Sequence, residues 1–340
     1  MATPARRCRA PYLREAVGAC TIHLWRCLRR LHQDCYSMGG DAILGSRSRT
    51  TVPFERTYQL CSFECVVRSN DVSLGELVDR FLVPFRAGGK PTTTARTYVL
   101  DGDSPGAISL VVDGEEIVRG GSALEAVEYL VWEVSQRAIA LGSDHLALHA
   151  GSLSWGGNGV VLPAPSGSGK STLTAGLTVA GCKYLSDEVA LIDLESGMLH
   201  PFPRALGMSQ RSIGLIPGLR ERLTPELGAS DRVERHVPPD ALRPSPIGGP
   251  CELRCVIVPE HVPGASTVLE PTRRSEAVLA MMANAFNFAE FKGAGLVALA
   301  AIAQHVSAYR LRMGELSAAV DLVMEALAEA NENGSINGTR

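Results

Sequence analysis

Between Gly159 and Thr172 the chain reads GVVLPAPSGSGKST, a spacing suited to holding phosphate. Backbone N–H groups can curl around phosphate oxygens only where side chains leave room. Gly167 and Gly169 leave that room, and the start of the following helix adds the positive end of its dipole. Lys170 supplies a compact ammonium for the β- and γ-phosphates of ATP, and the Ser171 hydroxyl a ligand for Mg²⁺. The expected nucleotide-binding stretch is Ala164, Pro165, Ser166, Gly167, Ser168, Gly169, Lys170, Ser171 and Thr172. It departs from the G-x-x-x-x-G-K-[ST] pattern once, because Ala164 stands where the first glycine usually is. Lysine is otherwise rare: Lys90, Lys170, Lys183 and Lys292 stand among 33 basic residues. A lysine kept in the loop is therefore notable, since an ammonium fits between phosphates where a planar guanidinium would not.

Two further groups fit the same chemistry. Asp187-Glu188 follows the strand-like run Tyr184-Leu185-Ser186. In a parallel arrangement the end of that strand lies beside the loop, facing the metal and the γ-phosphate. One carboxylate, Asp187, would bind Mg²⁺, and the other, Glu188, would accept the proton of an attacking hydroxyl. The pair read by itself is also compatible with a solvated turn. His149, on the strand before the loop, is either a catalytic histidine or a satisfied core residue. Arg204 and Arg211 could clamp phosphate or an acidic peptide, or lie on a solvated surface.

The elements that must position these groups are legible from periodicity. Val160–Pro163 reads as a short buried strand, and a helix runs from Lys170 to about Ala180, with Gly181 as its stop. Leu146–Trp155 reads as a strand joined to it through Gly156–Gly159, so the loop is entered from an antiparallel hairpin. Ser122 and Glu125 form a capping box opening a helix to about Leu141. Before it, Tyr58–Phe63, Tyr98–Leu100 and Ile108–Val112 read as short strands, Leu74–Phe81 as a helix, and Asp113-Gly114 as a hairpin turn. After the acidic pair come strands at 189–193, 198–200, 253–259 and 309–313. Helices are expected at 275–285, 296–306 and 316–330. Residues 201–250, rich in Pro, Arg and Gly, read as a long irregular segment of the kind that lies over a site. The expected class is α/β: a phosphate-loop domain over 122–330, with a small α+β domain at 51–121, an Arg-rich extension at 1–50 and a polar tail at 331–340.

The whole chain limits the partners. It has 340 residues and a net charge of −3, so there is no electrostatic case for nucleic acid or an anionic membrane. Residues 1–50 hold nine arginines against three acidic residues. Thr21–Leu31 could form a basic amphipathic helix for surface docking, or the segment is a disordered extension with Met38 as the true start. No run of 18 apolar residues predicts a membrane span. Nine scattered cysteines show no disulfide spacing. Cys61/Cys65 and Cys251/Cys255, four apart in strand-like runs, share a face but lie too far apart for one metal ion. They read as reduced, buried cysteines of a cytoplasmic protein. Self-association into a homo-oligomer is compatible with all of this.

His149-Ala-Gly151, then Ser166-Gly-Ser-Gly-Lys-Ser171, then the strand ending in Asp187-Glu188 together resemble the catalytic domain of the HPr kinase/phosphorylase family. The resemblance covers about residues 145–195. It implies transfer of the ATP γ-phosphoryl group to a serine hydroxyl of a protein, with Glu188 standing where the family has its general base. His149 stands at the family's active-site histidine. Three features depart from the pattern. Glu replaces Asp at 188, Phe202–Ser212 offers no match for the family's later acidic metal ligand, and the segment before Gly120 is unlike its amino-terminal domain. The expectation is thus an ATP/Mg²⁺-dependent serine kinase acting on a protein or peptide. An ATPase or ATP-binding regulatory module and a small-molecule kinase are the alternatives.

Overall fold

A computed structural model describes residues 53–104, 107–120, 122–141, 145–223 and 234–337. The expectations for residues 1–50 lie outside that range; of the polar tail expected at 331–340, residues 331–337 continue the last helix and 338–340 lie outside the described residues. Two sheets dominate, and the class is mixed α/β.

The first sheet has five strands in sequence order: β1 (Phe54–Leu60), β2 (Phe63–Ser69), β3 (Arg96–Ser104), β4 (Ala107–Val112) and β5 (Glu115–Arg119). The expected strand Tyr58–Phe63 is interrupted. The chain reverses at Cys61-Ser62, with Cys61 at φ +52° in the hairpin turn. Two helices cover this sheet, α1 (Val72–Leu82) and α2 (Ala123–Leu141). Asp71 caps α1 by accepting from the amides of Ser73 and Leu74, and Ser122 and Glu125 form the anticipated box on α2. Buried tyrosines tie the layers together. Tyr58 donates to Asp79 of α1 at 3.0 Å, and Tyr98 donates to Glu133 of α2. The sheet that α2 covers is therefore this one.

The second sheet carries the loop. Its central order is β10 (Met198–His200), β9 (Val189–Asp193), β6 (His145–Trp155), β7 (Asn158–Pro163), β13 (Cys251–His261), β15 (Ser307–Met313), β14 (Val268–Pro271), with β8 (Lys183–Ser186) also paired to β6. β7, β13 and β15 run parallel, whereas β6 is antiparallel to β7, β8 and β9. Helices lie on both faces. On one, α3 (Lys170–Val179) and α8 (Leu316–Asn337) bury Leu173, Leu177, Val323 and Leu327 against Leu153, Leu162 and Ile257. On the other, α6 (Arg274–Ala283) and α7 (Phe288–Ala303) bury Ala277, Met281 and Leu299 against Leu146, Leu148, Ala150 and Val161. Burying a large apolar side chain is worth roughly 1.5–3 kcal/mol, so these two layers set the position of α3 over β6 and β7.

The segment expected to be irregular is partly ordered. β11 (Leu206–Ser209) pairs with β12 (Glu234–Val237), and α4 (Gln210–Gly214) and α5 (Leu219–Arg222) follow β11. Leu206, Met208, Ile213 and Leu219 bury against Tyr184 and Ala175, so this segment is packed onto α3 and β8.

The cysteine reading needs two corrections. Cys61 is exposed. Cys251 and Cys255 do not share a face, because a register shift between Leu253 and Cys255 breaks the two-residue alternation. Cys251 packs with Leu146 and Leu148 in one core, and Cys255 with Leu153 and Leu162 in the other.

Candidate functional site

The loop that follows β7 behaves locally as its glycines require. Gly167 and Gly169 have φ of +83° and +86°, a left-handed conformation strained for residues with a Cβ. A Cβ at Gly167 would meet nothing within 4 Å, so the loop's outer side is open. Gly169 is the residue before α3, and a Cβ there would lie 2.5 Å from the Met313 side chain. Lys170, the first residue of α3, turns its side chain back into the loop. Its Nζ donates to the carbonyls of Ala164 at 2.6 Å and Pro165 at 3.0 Å. Ala164 itself is buried, and its methyl is accommodated in the wall behind the loop. The Thr172 hydroxyl points elsewhere, donating to Ser212 at 2.8 Å.

The acidic pair follows directly on the end of β8 at Ser186, as the sequence suggests, but that strand does not adjoin β7. β8 and β9 pair in succession with the same edge of β6, Ser186 opposite Ser152 and Val189 opposite His149, and the pair is the irregular step between them. The Glu188 carbonyl still accepts from the Ala150 amide at 3.2 Å, so the step remains pinned to β6. Because Ala150 is opposite Pro163, both carboxylates come level with the start of the loop, one strand removed from β7. β8 is thus parallel to β7 in direction but separated from it by β6.

Asp187 is buried and well held. It accepts from Tyr184 Oη at 3.2 Å and from the Gly207 amide at 3.2 Å, and the Ser171 hydroxyl is near enough to favour its charged form. Burial, with the neighbouring Glu188 charge second, raises its pKa to about 6, against the pull of Arg204, Ser171 and Gly207. Glu188 is more open and pairs with Arg204, Nη1 to Oε2 3.2 Å. Arg204 is largely buried, whereas Arg211 is exposed on α4. The structure therefore separates the two arginines that the sequence leaves equivalent.

His149 lies on the α3 side of β6, as does Gly151, where a Cβ would come 2.5 Å from Thr174 Oγ1 of α3. Its imidazole is buried, and Nδ1 has no hydrogen-bond partner. Burial first, then the nearby Lys170 ammonium, lowers its pKa to about 4, with Glu188 opposing. It is accordingly a neutral imidazole at physiological pH.

One wall of the site was not legible in the sequence. Where β7 leaves the sheet for the loop, the edge of β6 that it abandons is taken up by Asn284–Asn287, between α6 and α7. His149 N donates to Asn284 O at 2.7 Å and Phe286 N to Ala147 O at 2.9 Å. The Asn287 side chain accepts from Ala147 N and donates to His145 O, both at 3.0 Å. Phe286 is thereby set beside His149, with ring centroids 5.8 Å apart. The only sequence signal was a helix break flanked by two asparagines.

The arrangement brings together Lys170, Ser171, Asp187, Glu188, Arg204 and His149. Ser171 and Asp187, which lie near each other, are the pair that could hold a divalent cation. Among the described residues no group of three or more His, Cys, Asp or Glu side chains is arranged as a metal cage. A sparse protein donor set is nonetheless normal for Mg²⁺, which is held largely by phosphates and water. Five buried polar atoms lack partners among the described residues, and three of them, Ser168 Oγ, His149 Nδ1 and Arg204 Nε, belong to the loop or to these residues. Such atoms carry a desolvation cost that a polar ligand would relieve, so the residues present fit a phosphorylated ligand with its cation. No protein-family model matches this chain, and no curated protein matches it. Among the described residues, no helix is long and apolar enough to cross a membrane.

Proposed function

We propose that the chain is an ATP/Mg²⁺-dependent kinase of the HPr-kinase-like group, transferring the γ-phosphoryl group of ATP to a seryl hydroxyl of a protein or peptide. The observation that carries this reading is the buried Asp187, with Ser171 near it and Glu188 beside it, level with the start of a glycine loop that ends in Lys170. Cation ligand, base and phosphate-holding lysine are thus within one site. A simple structural ion pair would not need the loop, and a solvated turn would not bury Asp187.

Each side chain has a task in this reading. The amides of Ser166–Gly169 and the Lys170 ammonium hold the phosphates. Ser171 and Asp187 would hold Mg²⁺, which supplies charge neutralisation between the β- and γ-phosphates. Glu188 takes the proton of the seryl hydroxyl as its oxygen bonds to the γ-phosphorus and the bond to the β-phosphate oxygen breaks, leaving ADP. His149, being neutral, offers a hydrogen bond rather than a charge. The cytoplasmic setting and the protein acceptor belong to the same proposal.

Glu188→Gln is the test. It retains shape and an acceptor for Arg204 but cannot take a proton. ATP·Mg²⁺ affinity is expected to survive, while phosphotransfer from γ-labelled ATP to a seryl acceptor falls by about 10² or more. Wild-type transfer by Glu188→Gln excludes the base role. Release of free phosphate alone from the wild-type chain points instead to an ATPase, and label on a metabolite to a small-molecule kinase.

A further inference from the structure

Arg204 sits in a segment built around Asp187. Its carbonyl accepts from Tyr184 Oη at 2.7 Å, the same hydroxyl that contacts Asp187, and three residues on, the Gly207 amide bonds Asp187. Its side chain is 13% exposed, with Nη1 on Glu188. Its Nε is buried and has no hydrogen-bond partner. A guanidinium has five N–H donors in a rigid fork. Leaving a buried one unmatched is costly unless something occupies it.

We infer that Arg204 is the anion-binding arm of this site, dividing one guanidinium between Glu188 and a phosphoryl group of the bound ligand. The inference deepens the kinase reading and rests on it for the chemical class of the anion.

The test uses the full chain with inorganic pyrophosphate as probe, with and without Mg²⁺, read by calorimetry. Arg204→Gln should weaken pyrophosphate binding about tenfold or more. Arg204→Lys keeps the charge without the fork, so it should not restore the affinity. Wild-type pyrophosphate affinity in either variant overturns the inference. Should Arg204→Gln fail to fold, the lysine variant alone decides by its affinity. A wild-type chain that binds pyrophosphate but transfers no phosphoryl group sinks the kinase reading and leaves this inference standing. One that binds no pyrophosphate overturns both.

Discussion

His149 and Asp187 should give this protein two opposed pH responses that can be separated by mutation. His149, buried and beside Lys170, has its pKa lowered to about 4 from 6.5. Between those values the unfolded chain binds the proton and the folded one does not, so stability is lost as pH falls. Asp187 behaves in the opposite sense, because its pKa is raised from 3.8 to about 6. In that window the folded chain takes up the proton first, and stability is gained as pH falls. Between pH 8 and pH 5 each shift is worth on the order of 1–3 kcal/mol, lost from His149 and gained from Asp187. His149→Gln should therefore become more stable relative to wild type by that order on going from pH 8 to pH 5, whatever its offset at pH 8. Asp187→Asn should move the other way by a similar order. Urea unfolding at half-unit pH steps, compared as differences from wild type, measures both signs. If the difference between wild type and His149→Gln is flat across this range, the imidazole is not held neutral, and its assignment as an uncharged hydrogen-bonding group fails.

Three further outcomes are expected. Lys170→Ala removes the ammonium that bonds the Ala164 and Pro165 carbonyls, so ATP affinity and turnover should fall steeply. Melting should report a stability change of about 1–3 kcal/mol, since the Ala164 carbonyl that loses its partner is buried. Gly151→Ala places a methyl 2.5 Å from Thr174 Oγ1, wedging α3 from β6. We expect a loss of about 1–3 kcal/mol in denaturant unfolding, together with weaker ATP binding from a displaced loop. Asn287→Ala strips two buried backbone groups of partners, those of Ala147 and His145. It should cost about 1–3 kcal/mol and speed amide exchange at Phe286, the residue packed beside His149.

What could be read from residues alone was local. The strand, glycine loop and helix opening at Lys170 follow from contiguous spacing, because glycine at positive φ and a helix start within a few residues leave the backbone little choice. The same holds for the antiparallel hairpin into the loop and for the capping box on α2. Placement of partners across the sequence was another matter. That β6 separates the acidic step from the loop strand depends on which edges pair, and both neighbours of an apolar strand satisfy the same periodicity. The bulge that turns Cys251 and Cys255 to opposite faces is invisible to an alternation rule that it interrupts. Arg204 and Arg211 have the same chemistry and similar neighbours. Only the docking of β11 against Tyr184 and Asp187 buries one and leaves the other in solvent. Asn284–Asn287 lies more than 130 residues from the strand whose edge it completes. An unpaired edge is a demand of backbone hydrogen bonding in three dimensions, and nothing in the local sequence says which distant segment will meet it.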